Sequence, residues 1–234
     1  MLVGHVSVLT RHPVKSMLGE VLDHVEVAER GLVGDRGWAA YTPDGGIGSG
    51  KTTRRFRRVD GLLQCRAALD GEPAPWVVLP SGAGHRAGEA ATDEALSAVL
   101  GRPVQLRREG DVPHHDEAPV HVLTTGSVDQ LGRQLGRPVD ARRFRANILI
   151  ETATPPGFVE DHWVGRELAI GDTVVLALGP GMPRCVMVDL PRPDVGPQPQ
   201  VLRLLAEVHD LRLGLQAAVR RPGTIRSGDV ARLL

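Results

Sequence analysis

The chain has 234 residues, with 28 basic and 28 acidic side chains and 41% apolar content, enough for one large core or two small ones. Balanced charge excludes an overall field directed at nucleic acid or a membrane, so neither is an expected partner and any anion site must be local. No apolar run nears the roughly 18 residues of a membrane helix, the N-terminus lacks a signal-peptide pattern, and Cys65 and Cys185 are far apart with no CxxC. These features exclude a disulfide scaffold and a zinc knuckle and make the cytoplasm the expected location.

In chain order, the first hundred residues read as short strands at 3–9, 21–27, 37–41 and 76–79, with Gly, Pro or Asp between them. That spacing predicts a small antiparallel sheet or barrel. Thr-Asp-Glu followed by apolar residues at helical spacing predicts a capped helix over 92–100. Strands are expected at 120–123, 147–151, 167–170 and 173–178. Helices are expected at 127–135, where Val128, Leu131 and Leu135 share a face, and at 201–207. The tail reads as a strand at 213–219, a turn at Arg-Arg-Pro-Gly, and a final strand after Gly228-Asp229. Residues 191–199, rich in proline and polar side chains, are expected to form a mobile loop.

Cys185 follows Gly-Pro-Gly-Met-Pro-Arg184 at the exit of the 173–178 strand. A neighbouring guanidinium favours a thiolate, and thiolates attack electrophiles, carry sulfur or ligate soft metals. Free cysteine is ordinarily a small core hydrophobe, the role expected for Cys65 in its apolar stretch. The Pro/Gly-rich approach to Cys185 instead predicts a surface or pocket rim.

Gly45-Gly-Ile-Gly-Ser-Gly-Lys51-Thr52 satisfies the P-loop pattern GxxxxGK[ST]. Its context does not, because Tyr-Thr-Pro-Asp precedes it where a P-loop needs a buried strand, and the basic run after it shows no helical stripe. A flexible glycine loop between strands is expected, able to touch a ligand phosphate only through backbone amides. His114-His115-Asp116-Glu117 reads as a solvated loop, because adjacent side chains diverge and do not close on one metal. Arg145 and Asn147, at the start of an apolar strand, are expected to share one face, where a guanidinium and an amide suit a phosphate or a heterocycle edge. Lys15 and Lys51 are the only lysines. The arginine excess is read as genome composition rather than binding.

His12-Pro-Val-Lys15-Ser16, Gly31-Leu-Val-Gly-Asp35-Arg36, Val120-His-Val-Leu-Thr-Thr-Gly-Ser127, Arg143-Phe-Arg145-Ala-Asn147, Trp163-Val-Gly165, Arg184-Cys185 and Arg221-Pro-Gly-Thr-Ile-Arg226-Ser-Gly228-Asp229 occur in an order that spans nearly the whole chain. In this order they resemble the MOSC domain family, named for the C-terminal domain of molybdenum-cofactor sulfurase. The resemblance implies a mainly β (α+β) fold, with an N-terminal MOSC β-barrel-like domain over 1–90 packed on a MOSC β-barrel over 91–234 that carries a few short helices. It also implies binding of the molybdenum cofactor (molybdopterin) and either reduction of N-hydroxylated or N-oxygenated compounds, as the amidoxime-reducing members do, or sulfur transfer. Carried over, Cys185 ligates molybdenum or accepts sulfur, and Lys15, Ser16, Arg36, Thr125, Ser127, Arg145, Asn147 and Arg184 surround the pterin and phosphate. Asp189 orients water or substrate. Ala146 departs from a common proline, and Val186-Met187 from a more polar pair. The expected partners are a small-molecule substrate and a separate electron-donor or sulfur-donor protein. A non-catalytic cofactor carrier, and a metal-free thiol or persulfide enzyme using the same pocket, remain open.

Overall fold

The computed structural model describes residues 1–153, 155–196 and 198–234. Apolar residues recurring at period two build a mainly β structure. Among the described residues it contains three α-helices: α1 (Ala90–Leu100), α2 (Thr125–Leu135) and α3 (Val201–Val208). The chain forms two compact units, one of Met1–Thr10, Val21–Val33 and Glu117–Leu234, the other of Arg11–Glu20 and Gly34–Asp116.

In the first unit seven strands close on themselves in the order Ile148–Glu151, Val120–Thr124, Arg212–Arg221, Val174–Pro183, Glu167–Ile170, Val230–Leu233 and Leu2–Arg11, the last pairing back to Ile148–Glu151. Closure removes the unpaired edges that an open sheet would expose. Val6, Val122, Ile150, Leu168, Leu176 and Leu215 fill the interior. Val120–Thr124 and Ile148–Glu151 pair in parallel, which requires a crossover rather than a hairpin. The crossover contains α2, whose Val128 and Leu131 bury against Phe144, Val188, Leu205 and Leu213 in a second core.

The other unit holds a four-stranded sheet, Gln105–Arg108, Trp38–Tyr41, Ile47–Ser49 and Phe56–Arg58, and a three-stranded sheet, Gly84–Arg86, Trp76–Val78 and Arg66–Ala68. Its core gathers Met17, Leu62, Val77, Leu96 and Leu106 around Cys65, which is fully buried as expected. Burial pushes the Cys65 thiol up to about 11, consistent with a packing role.

Several expectations change. The 173–178 strand continues to Pro183, because irregular register at Leu178, Gly181 and Pro183 lets the Gly-Pro-Gly-Met-Pro segment stay paired with Arg212–Arg221. It is therefore bulged strand. Helix α1 starts at Ala90, and Thr92 lies inside it, donating its hydroxyl to the Arg86 carbonyl at 2.5 Å rather than capping. The glycine stretch 45–52 contains the strand Ile47–Ser49, with no helix after it, so its backbone is not that of a P-loop. In the 191–199 segment Pro197 lies outside the described residues. Around it, buried Arg143 donates to the carbonyls of Val188 and Gly196 and to Gln198 Oε1, and Arg192 donates to the Arg142 carbonyl at 2.7 Å. Two buried arginines thus tie the described residues on either side of Pro197 to their neighbours.

Candidate functional site

Lys15, Ser16 and Arg36 lie in the unit formed by Arg11–Glu20 and Gly34–Asp116. The Lys15 N–H donates to the Trp38 carbonyl at 2.8 Å, and an isolated bridge joins Val14 to Trp38, so the turn after the first strand is tied to a sheet. Ser16 adopts φ 65°, and its hydroxyl donates to the Gly48 carbonyl at 3.4 Å. Lys15 Nζ donates to Asp116 Oδ1 at 2.6 Å and sits 4.4 Å from the Phe56 ring centre. Lys51 Nζ stands 3.5 Å from Asp116 Oδ2 and 5.4 Å from the same ring. Burial lowers the Lys15 amine to about 8 against the opposing pull of Asp116, with Arg36 and Lys51 lowering it further. Burial also works to raise the Asp116 carboxyl, but Lys15, Lys51 and Arg36 outweigh it and hold it at about 2.

Arg36 pairs with Asp35, whose other carboxylate oxygen accepts the His12 N–H at 2.7 Å. The solvated-loop reading of His114-His115-Asp116-Glu117 fails at His114. Its ring is fully buried, with Nε2 3.0 Å from the Tyr41 hydroxyl and Nδ1 3.1 Å from the Arg36 carbonyl oxygen, and its N–H donates to Glu109 at 2.7 Å. This histidine pins the segment that carries Asp116. Among the described residues no three His, Cys, Asp or Glu side chains group as a metal site.

Thr125, Ser127, Arg145, Asn147, Arg184, Cys185 and Asp189 belong to the barrel unit. Thr124 caps α2 by accepting the Ser127 N–H at 3.1 Å, and Thr125 Oγ1 accepts the Thr152 N–H at 3.2 Å. The Thr124 and Ser127 hydroxyls both donate to Glu160 Oε2, at 2.6 and 2.5 Å. Glu160 is 1% exposed, and its Oε1 has no hydrogen-bond partner. Burial pushes this carboxyl upward, partly offset by the two hydroxyls. No motif in Phe158-Val-Glu-Asp-His-Trp announces this residue.

Arg145 does not share a strand face with Asn147. It closes the 3-10 turn Ala141–Phe144 at φ 54°, and the strand starts only at Ile148. The Asn147 side chain serves the backbone, accepting the His121 N–H at 3.1 Å and donating to the Thr10 carbonyl at 3.3 Å. Arg184 donates to the Phe144 carbonyl at 2.9 Å and lies 5.7 Å from the Phe144 ring centre. Cys185, half-buried, follows the end of Val174–Pro183 in extended backbone and opens the short turn Val186–Val188. Asp189 closes that turn, and its carboxylate accepts the Leu202 N–H near the start of α3 at 3.3 Å. In this structure Asp189 therefore caps a helix. Of the two cysteines in the sequence only Cys185 reaches the surface, so a soft-metal ligand or sulfur-carrying thiol from this chain falls to it.

No helix among the described residues is long and apolar enough to cross a membrane. The sequence matches the MOSC N-terminal beta barrel domain over residues 3–70 and the MOSC domain over 109–232. It is 28% identical over 235 residues to mitochondrial amidoxime reducing component 2 of Bos taurus, covering 83% of this chain and 68% of that protein. It is 30% identical over 142 residues to mitochondrial amidoxime-reducing component 1 of Mus musculus, covering 55% of this chain and 40% of that protein. The crystal structure of the YuaD protein from Bacillus subtilis superposes with a TM-score of 0.53 at 14% identity, covering 100% of this chain and 96% of that one. That likeness concerns the fold alone, whereas the domain match takes in more than half the residues, Cys185 among them: the chain belongs to the MOSC domain family.

Proposed function

We propose that this chain binds the molybdenum cofactor, with Cys185 as its protein ligand to molybdenum, and reduces N-hydroxylated compounds. The observation that carries the reading is the half-buried Cys185 thiol at the end of a barrel strand, in contrast to Cys65, which is wholly buried. The names of the two mitochondrial relatives supply the substrate class. Bound, the cofactor supplies two-electron oxygen-atom chemistry. The net reaction breaks an N–O bond, consumes two electrons and two protons, and releases the reduced nitrogen compound and water, with a separate electron-donor protein as reductant.

The chain's residues supply binding and orientation. Lys15 and Arg36 offer charge to the phosphate, with Ser16 as a hydrogen-bonding neighbour in the same unit. The donor set fits the group, since a thiolate suits a soft metal and compact cations suit a phosphate in a chain without net charge. The short turn opened by Cys185 is held by the bond from the Val188 N–H to the Cys185 carbonyl at 3.1 Å, and Asp189 ties its end to α3. That arrangement holds the backbone that carries the thiol.

The test is molybdenum per polypeptide, by elemental mass spectrometry, in native protein and in Cys185→Ala from a cofactor-producing host. Near-stoichiometric metal that is lost in the variant, with turnover of an N-hydroxylated substrate, is the expected result. Equal metal and turnover in both proteins would refute the ligand role. Metal-free protein from a host that loads a control molybdoenzyme would leave the thiol or carrier readings in its place.

A further inference from the structure

Lys51, whose surroundings only match the letters of a P-loop, and Asp116 play no part in the cofactor reading above, yet they meet at one point in the structure. We propose that Lys15 and Lys51, with Arg36 beside them, form a binding site for a phosphate-type oxyanion whose resident occupant is the Asp116 carboxylate, so that ligand binding displaces Asp116. The proposal deepens the reading in which Lys15 and Arg36 hold the cofactor's phosphate, and rests on that reading only for the natural source of the phosphate.

The geometry is that of an anion already in place. Asp116 turns one carboxylate oxygen to each ammonium, Oδ1 to Lys15 at 2.6 Å and Oδ2 to Lys51 at 3.5 Å. Two oxygens of a phosphate monoester can make the same bridge while adding a second negative charge. Exposure sets the order of events: the Lys15 side chain is 5% exposed and that of Asp116 36% exposed, so an incoming anion meets Asp116 first and must replace it to reach Lys15. Asp35 is committed to Arg36 and the His12 N–H, which leaves Asp116 as the carboxylate paired with both ammoniums.

The surroundings allow the exchange. Asp116 is carried on residues 109–117, which contain no helix or strand, while His114 is pinned through Tyr41, Arg36 and Glu109, so the carboxylate can swing without unseating the segment. The Phe56 ring lies within 5.4 Å of both ammoniums and keeps a favourable face toward them when the carboxylate leaves. The choice of residue is also telling. These are the only two lysines of a chain whose other basic side chains are all arginine, and both are spent on one carboxylate. A compact ammonium accepts exchange between carboxylate and phosphate more readily than a guanidinium locked in a bidentate fork.

The test is titration calorimetry with inorganic phosphate at low salt, on the full chain purified from a host that makes no cofactor. Asp116→Asn should bind phosphate about tenfold more tightly than the native chain, and adding Lys51→Met to that variant should remove the gain. An affinity in Asp116→Asn equal to or below that of the native chain would overturn the proposal. A second measurement needs no variant: after reductive 13C-methylation, phosphate should shift both lysine Nζ signals of the native chain and raise the titration point of Lys15, whose charged neighbours are Asp116, Arg36 and Lys51. Two signals indifferent to phosphate would refute it even if a variant failed to fold. The outcomes separate from those of the cofactor reading, which turns on molybdenum and Cys185. If protein isolated with bound cofactor no longer takes up inorganic phosphate, the cofactor's own phosphate is the natural ligand. Unchanged uptake would identify a free phosphate compound.

Discussion

Replacing Glu160 by glutamine tests whether the barrel unit buries a neutral carboxyl beside the start of α2. Glu160 is 1% exposed, accepts hydroxyl bonds from Thr124 and Ser127 on Oε2, and has no partner on Oε1. Burial raises its native titration point above the ordinary 4.5, with the two hydroxyls opposing. The sign follows from proton counting. From about pH 4.5 up to the raised native value the folded chain holds a proton that the unfolded chain has lost, so native stability falls as pH rises through that window, by up to about 1.4 kcal/mol per pH unit. Glutamine keeps an oxygen for both hydroxyls and does not titrate, so Glu160→Gln should lie within about 1 kcal/mol of the native chain near pH 4.5 and gain on it toward pH 8. Alanine leaves both hydroxyls without their acceptor and should cost about 2–4 kcal/mol throughout. Urea unfolding of the three proteins across that range measures both effects. A native chain that gains on Glu160→Gln with rising pH would show that the carboxylate acts as a charged partner of the helix terminus, and the reasoning from burial would be wrong.

Two further substitutions probe the two units separately. The native Lys15 amine, at about 8, lies below its ordinary 10.5, so between those values the unfolded chain binds the extra proton and stability rises with pH, by about 3 kcal/mol in all; Lys15→Met should flatten that rise in denaturant titrations, and identical slopes would refute the burial argument. Asn147→Ala removes the acceptor of the His121 N–H and the donor to the Thr10 carbonyl and should lower unfolding stability by about 1–3 kcal/mol. A change below about 0.5 kcal/mol would show that this side chain is dispensable to the barrel and free for a ligand.

The barrel strands were legible because half-buried strands alternate and end at Gly, Pro or Asp. The 167–170 strand lies as expected, and the crossover helix falls within two residues of its expected start. What alternation does not carry is which sheet a strand joins. Residues 3–9 and 120–123 give the same kind of signal as 37–41, yet the first two line the closed barrel and the third pairs with Gln105–Arg108 in the other unit. The short partners Ile47–Ser49, Phe56–Arg58 and Gly84–Arg86 hold three residues each, too few to display a period.

The placement of individual side chains was less legible, for a different reason. Placing Arg145 and Asn147 on one face assumes extended backbone between them, whereas Arg145 is left-handed and the Asn147 amide is spent joining the backbones of Thr10 and His121. Tertiary bonding, absent from any local window, overrode the pattern. The same holds for the cation cluster. Lys15 and Asp116 stand 101 residues apart, and neither carries a motif that names the other. Residue chemistry marks Lys15 as able to meet an anion, but only the fold shows that one is already supplied by the chain. A ligand for that position therefore competes with an internal carboxylate, and its affinity is set as much by the release of Asp116 as by the cations it meets.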